Sequence, residues 1–277
     1  MKNTSLQLKI NNFGSYDNRL LIQKLLLSTI DFLARLFNKD ILEKSQIASD
    51  GLVAFFKNSY SSILYYRLFE VLLYPLEINA GLSVGSKEDV ILRNSRDALR
   101  FSLKNNTGLI IKTKNKKDQY LNMLLKLRLE IREHPTIQAN LVQLFSEFLN
   151  PLLADFRILK RNDMIARLSL ILKFKEEFFN YLKSNVKTET RFFNHRFPKI
   201  DFVRYGELIE IVELKNNVFL KEYVMIQQDN WKKGFSTKVS DILGITRQII
   251  DRNYNYLNFS NLRNLDATIW FYLQENY

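Results

Sequence analysis

The chain has 277 residues, 46% of them hydrophobic and 13% aromatic, a composition that supplies real cores and argues against intrinsic disorder. It contains no cysteine and only two histidines, His134 and His195, which excludes disulfides, thiolate chemistry and a histidine-rich metal cluster. The formal net charge of +12 favours polyanionic partners, nucleic acid first and an anionic membrane surface second, unless it merely solvates the surface.

Leu6–Ile10 alternates apolar and polar residues and predicts a half-buried strand. Asp17 and Asn18 are caps for a helix running to about Phe37, with Leu21, Ile22, Leu25, Leu26, Ile30, Leu33 and Leu36 at helical spacing. Ile47–Phe56 reads as strand, Asp-Gly turn and strand, a strong hairpin signal. A helix over Tyr60–Leu73, a strand over Glu77–Val84, a helix over Asp89–Leu103 and a strand over Gly108–Lys112 follow. The resulting order, β-α-β-β-α-β-α-β, predicts an α+β layer with its helices on one face of a mainly antiparallel sheet.

The charged stretch Thr113–Asp118 is the best boundary, dividing an α+β domain at 1–113 from a helical domain at 119–277. Beyond it the periodicity predicts helices over Gln119–Arg132, Thr136–Leu149, Asp163–Asn185 and Ile200–Trp231. Lys187–Lys199 reads as a basic loop; its Phe192-Phe193 pair is either a stacking surface for nucleic acid or a pair of core anchors. Met1–Ile10 lacks the apolar core of a secretory signal, and the apolar run Leu20–Phe37 is broken by Gln23, Lys24, Asp31 and Arg35. The expectation is a cytoplasmic chain with no membrane span.

The segment at about 236–256 has the marks of a helix-turn-helix. Ser240 is a small residue at the helix crossing, Gly244 suits the turn, and Val239, Leu243, Ile245 and Ile249 or Ile250 form the inner face. Thr246 would cap the second helix, and Arg247, Gln248, Asp251 and Arg252 would face outward. Arginine and glutamine suit guanine, adenine and phosphate, whereas Asp251 brings a negative charge among them. Asn253 falls where a buried aliphatic residue is usual, so Tyr254 is expected to pack in its place. Phe259–Tyr272 continues with helical periodicity and would cover the back of the motif.

Three stretches, IASDGLVAFF at Ile47–Phe56, EINAGLSVG at Glu77–Gly85 and DVILRNSRDAL at Asp89–Leu99, resemble the hairpin, glycine-ended strand and arginine-bearing helix of class III nucleotide cyclases. Joined to a C-terminal helix-turn-helix, they resemble the bacterial SatD family. That resemblance implies a ferredoxin-like, cyclase-like palm domain, an all-α C-terminal domain, duplex DNA as partner, a possible homodimer and a regulatory role. It also implies a pocket at Asn12, Asp50 and Arg96. The sequence departs from the pattern there: N-N-F-G-S at Asn11–Ser15 and S-D-G-L-V at Ser49–Val53 replace more acidic segments, and Asn12 stands where two-metal chemistry needs a carboxylate. Asp17 is the nearest acid downstream, and Leu92 occupies the asparagine position. Asp50 is better explained as a turn residue, and Arg96 as a solvated partner of Glu88 or Asp89. No catalytic residue, metal site or cofactor is therefore assigned; a divergent nucleotidyl cyclase or phosphoryl-transfer enzyme is the alternative.

Overall fold

The computed structural model describes residues 3–42, 46–132, 134–149, 161–185, 193, 196–211, 218–221, 224–227 and 235–277. The chain is mixed α+β and forms two compact units, one of Met1–Glu130 with Thr268–Tyr277 and one of Ile131–Ala267.

The first unit contains β1 (Asn3–Ile10), a 3-10 turn (Phe13–Ser15), α1 (Arg19–Leu36), β2 (Gln46–Ala48), β3 (Gly51–Phe56), α2 (Ser59–Leu73), β4 (Ile78–Gly85), α3 (Glu88–Asn105), β5 (Leu109–Ile111) and α4 (Asp118–Ile131). The element order is the one the periodicity predicts. Asn18 caps α1 by accepting from Leu21 N at 3.3 Å, and Asn58 caps α2 by accepting from Ser61 N at 2.8 Å. The sheet runs β2-β3-β1-β4-β5, antiparallel throughout except for the parallel β4–β5 pair. The outer edge of β5 is closed by a side chain. Asn122 of α4 accepts from Ile111 N and donates to Ile111 O, both at 2.8 Å, as a neighbouring strand would.

Two expectations for this sheet are corrected. Its helices lie on both faces, and β1 is buried on both. Thr4 pairs across the ladder with Phe56, whose ring meets Tyr65 of α2 at 5.4 Å, so α2 covers the face carrying Leu6 and Leu8. The alternate positions, Ser5 and Gln7, meet α3 instead: Ser5 and Ser95 share a hydroxyl hydrogen bond, and Gln7 Nε2 donates to Leu92 O and Ser95 Oγ, all at 2.9 Å. Ser102 Oγ donates to Asn79 Oδ1 at 2.7 Å on the same face. The polar half of the alternation therefore faces a helix rather than water. Gly81 permits the close approach, since a Cβ there would lie 2.0 Å from Ser95 O.

The second unit contains α5 (Ile137–Leu149), α6 (Arg161–Asn185), α7 (Phe202–Ile211), an antiparallel hairpin of β6 (Val218–Lys221) and β7 (Val224–Gln227), α8 (Phe235–Leu243), α9 (Arg247–Tyr256) and the start of α10 (Phe259–Asn276). The hairpin corrects both the helix expected over Ile200–Trp231 and the all-α reading of this region; Trp231 itself lies outside the described residues. Val218-Phe219 and Val224 with Ile226 are β-branched or aromatic, types that strands favour over helices. The burial runs the length of α5, including Asn140, Gln143, Ser146 and Glu147. Arg263 of α10 compensates one of these, donating from Nη1 to Glu147 Oε2 at 2.9 Å.

Candidate nucleic-acid interface and the sheet-end pocket

Helices α8 and α9 are joined by a turn of three residues, Gly244, Ile245 and Thr246. Gly244 ends α8 at φ 61°, a left-handed conformation that favours glycine, and its N–H donates to Ser240 O at 2.9 Å. Ser240 Oγ donates onward to Ile245 O, so the small crossing residue also ties down the turn. Thr246 has the extended backbone of an N-cap, and its carbonyl accepts from Ile249 and Ile250, but its side chain makes no capping bond.

Val239, Ile242, Leu243 and Ile250 are buried between the helices, while Ile245 and Ile249 are half-buried. Arg247, Gln248 and Arg252 are exposed on the outer side of α9. Asp251 is half-exposed beside them and is held by two partners. It accepts from Ser236 Oγ at 2.6 Å and lies 3.6 Å from Arg247 Nε, which joins α9 to α8 and offsets one cation. Asn253 and Tyr254 are both buried. Asn253 Nδ2 donates back to Ile249 O at 2.9 Å, and the Tyr254 ring stacks on Phe259 with its hydroxyl 2.7 Å from Ser146 Oγ. Burial pushes the Tyr254 phenol far above its usual range, so it stays a neutral hydrogen-bonding group. Of the segment expected to cover this motif, residues 259–267 belong to the second unit and 268–277 to the first.

Neighbouring α7 contributes Arg204, which donates to Asp241 Oδ2 at 3.0 Å and to Glu207 Oε2 at 3.0 Å. The cations of this region are thus interleaved with acids. Phe193 meets Phe179 of α6 at 5.4 Å, the arrangement of an anchor; Phe192, Arg191 and His195 lie outside the described residues. A cleft of about 310 Å³ opens beside α6 between Lys173, Glu176, Phe197 and Lys199. His134 precedes Pro135 between α4 and α5, and its carbonyl accepts from the Tyr256 hydroxyl at 3.1 Å.

In the first unit, the backbone brings Asn12 and Asp50 to the same end of the sheet, where Ile10 N donates to Asp50 O at 2.8 Å. Asn12 has a left-handed backbone, φ 50°, and its carbonyl accepts from Ser15 N and Oγ. Asp50 Oδ2 is paired with Lys9 Nζ at 2.9 Å. Around them lie amides and one further acid: Asn11 Nδ2 donates to the Glu77 carboxylate at 3.2 Å, and Asn79 Nδ2 to Asn106 Oδ1 at 3.4 Å. Lys9, Asn79 and Asn106 are the residues here that the sequence does not single out, because each comes from a different strand or helix end. Arg96 is not brought to this site. It is exposed on the side of α3 opposite the sheet-facing Ser95, Ala98 and Ser102, and it makes no ion pair with Glu88 or Asp89.

Among the described residues, no group of three or more histidines, aspartates or glutamates stands where it could hold a metal ion. No helix there is long and apolar enough to cross a membrane. Compared with known proteins, the chain matches no family model, no curated protein and no solved structure.

Proposed function

We propose that the chain is a SatD-like DNA-binding regulatory protein in which α8 and α9 act as a helix-turn-helix and α9 enters the major groove. Thr246, Arg247, Gln248 and Arg252 are the residues offered to DNA. The observation that carries this reading is the turn itself: a left-handed Gly244 between two helices, with apolar residues buried inside and Arg247, Gln248 and Arg252 exposed outside.

The sheet unit supports the second half of the reading. Its β2-β3-β1-β4 core, with every neighbour antiparallel, is the split βαβ order of ferredoxin-like layers, and β5 extends it. In this reading the unit binds a ligand at Asn12 and Asp50 or pairs two copies of the chain, and does not catalyse. Two-metal phosphoryl transfer asks for a second carboxylate beside Asp50, and the charged group bonded to Asp50 is the Lys9 ammonium.

The test is fluorescence-anisotropy titration of duplex DNA across a salt series with wild type and Arg247→Ala/Arg252→Ala. Loss of two phosphate or base contacts is expected to weaken binding and to lower the slope of log K against log salt by about 2. An unchanged affinity and slope overturns the assignment of α9.

A further inference from the structure

The charge excess lies mainly outside the α8–α9 region. Residues 1–130 with 268–277 hold 20 lysines and arginines against 13 acids, whereas residues 131–267 hold 21 against 16. Within the first unit the excess is local: positions 93–117 carry eight cations and one acid, Asp97.

The fold assembles these cations into one surface. Arg93, Arg96, Arg100 and Lys104 recur at i, i+3, i+7 and i+11 and share one face of α3, all of them exposed. That face is opposite the side that α3 presses onto Ser5, Gln7 and Gly81, so it takes no part in packing the sheet. Arg96 and Lys104 form no ion pair among the described residues, and the Arg100 side chain is 74% exposed, 4.0 Å from Asp97. Asp97 itself is engaged. Lys112 donates to it at 2.8 Å, and that hydrogen bond, helped by Arg100 and Arg93, holds its carboxyl below the usual range. The same bond ties the end of β5 to α3, and from there the exposed Lys114, Lys116 and Lys117 continue the positive surface.

We propose that the outer face of α3, with the 112–117 loop, is a second nucleic-acid surface that grips the phosphate backbone of duplex DNA without reading its sequence. The charge pattern fits that occupant. From Arg93 to Lys104 the helix rises about 16 Å, a length of duplex that carries about ten phosphates on its two strands, of which the stripe meets those on the near side. Guanidinium groups, three of the four on the helix, suit phosphate oxygens bidentately. The surface goes beyond the α9 reading and does not rest on it: it supplies affinity where α9 would supply selectivity.

The experiment is the same salt series on the full chain, with Arg93→Gln/Arg96→Gln/Arg100→Gln/Lys104→Gln and, separately, Lys114→Gln/Lys116→Gln. The four-residue variant is expected to lower the salt slope by about 4 and the loop variant by about 2, with sequence preference unchanged. The loop variant leaves α3 untouched, so the outcome does not hang on the helix variant folding. Slopes equal to wild type in both overturn the proposal. So does loss of binding to phosphatidylserine vesicles in either variant while the DNA slope holds, which would assign the surface to an anionic membrane instead. A fall in slope for Arg247→Ala/Arg252→Ala alone supports α9 and overturns α3, and the reverse pattern does the opposite.

Discussion

Among the described residues each unit buries an arginine–glutamate pair, and the difference lies in what surrounds it. In the first unit Arg128 donates to Glu70 at 2.7 Å, with Tyr66 OH donating to the other carboxylate oxygen at 2.7 Å and the guanidinium 5.7 Å above the Tyr66 ring. In the second, Arg263 donates to Glu147 at 2.9 Å and lies 5.6 Å above the Phe259 ring. Both pairs are almost wholly removed from water, at 4%/3% and 1%/0% side-chain exposure. Away from its pair, the first unit gathers Ser5, Gln7, Asn79, Ser95 and Ser102 into one seam between sheet and α3 and leaves the cations of α3 outside. The second unit draws polar groups into the centre of α5 and interleaves its outer cations with acids. The first unit thus exposes a stripe of cations along α3, whereas the second ties α9 to α8 through Asp251 and Ser236.

The sharpest way to break this comparison is to remove one arginine at a time. Arg128→Met and Arg263→Met each strand a carboxylate in a desolvated site and are expected to destabilise their own unit by about 3–5 kcal/mol. Trp270, packed against Tyr60 at 5.3 Å in the first unit, reports Arg128→Met by fluorescence in a Trp231→Phe background. Replacing both partners, as in Arg263→Met with Glu147→Leu, is expected to return most of the loss, because an apolar pair carries no desolvation cost. Urea melts that show a loss under about 1 kcal/mol for either single variant would mean that its pair is not functioning as a buried one.

The two glycines that matter sharpen the contrast between seam and turn. At Gly81 a Cβ would meet Ser95 O at 2.0 Å and Leu99 N at 2.3 Å, both backbone atoms that cannot step aside. Gly81→Ala is expected to cost about 3 kcal/mol as α3 is pushed off the sheet. Gly244 has nothing within 4 Å of such a Cβ, only a φ of 61° to sustain. Gly244→Ala is expected to cost about 1 kcal/mol from left-handed strain alone. Denaturant midpoints of the two variants check the order; equal losses would remove the distinction between close packing and turn conformation.

Much of the architecture was legible in the sequence because it is local. Helical spacing, the Asp50-Gly51 turn, the Asn18 cap and the break at Gly244 are each set within a few residues. What was not legible is what the chain joins across distance. Ser5 and Gln7 look solvent-facing until Ser95 of α3 is laid over them, and Glu70–Arg128 and Glu147–Arg263 are separated by 58 and 116 residues. The β6–β7 hairpin was hidden for the opposite reason: a short apolar run supports a helix or a strand equally, and β-branched residues decide it. At the candidate DNA site the exposed Arg247, Gln248 and Arg252 follow from spacing within α9. The hydrogen bond from Ser236 to Asp251 does not, since it depends on where α8 crosses.

Lys175 offers the smallest and most discriminating test of the second unit. It is fully buried on α6, and burial, with Arg132 nearby, holds its ammonium pKa well below the ordinary lysine value. The folded state therefore binds fewer protons than the unfolded state at every pH between the lowered folded value and the ordinary unfolded one. Stability in that window must rise with pH, and levels off once the unfolded lysine also loses its proton near pH 10. Lys175→Met keeps the chain length and removes the charge, so it is expected to stabilise at pH 7 by about 1 kcal/mol, at the low end for replacing a buried ionic group. The gain should shrink steadily as pH is raised towards 10. Urea denaturation of both proteins at several pH values measures it. A Met variant that is less stable than wild type, by the same amount at every pH, would show that the lysine is held charged by its surroundings. In that case Lys175 of α6 would join Glu147 of α5 and Arg263 of α10 in an ionic interior of the second unit.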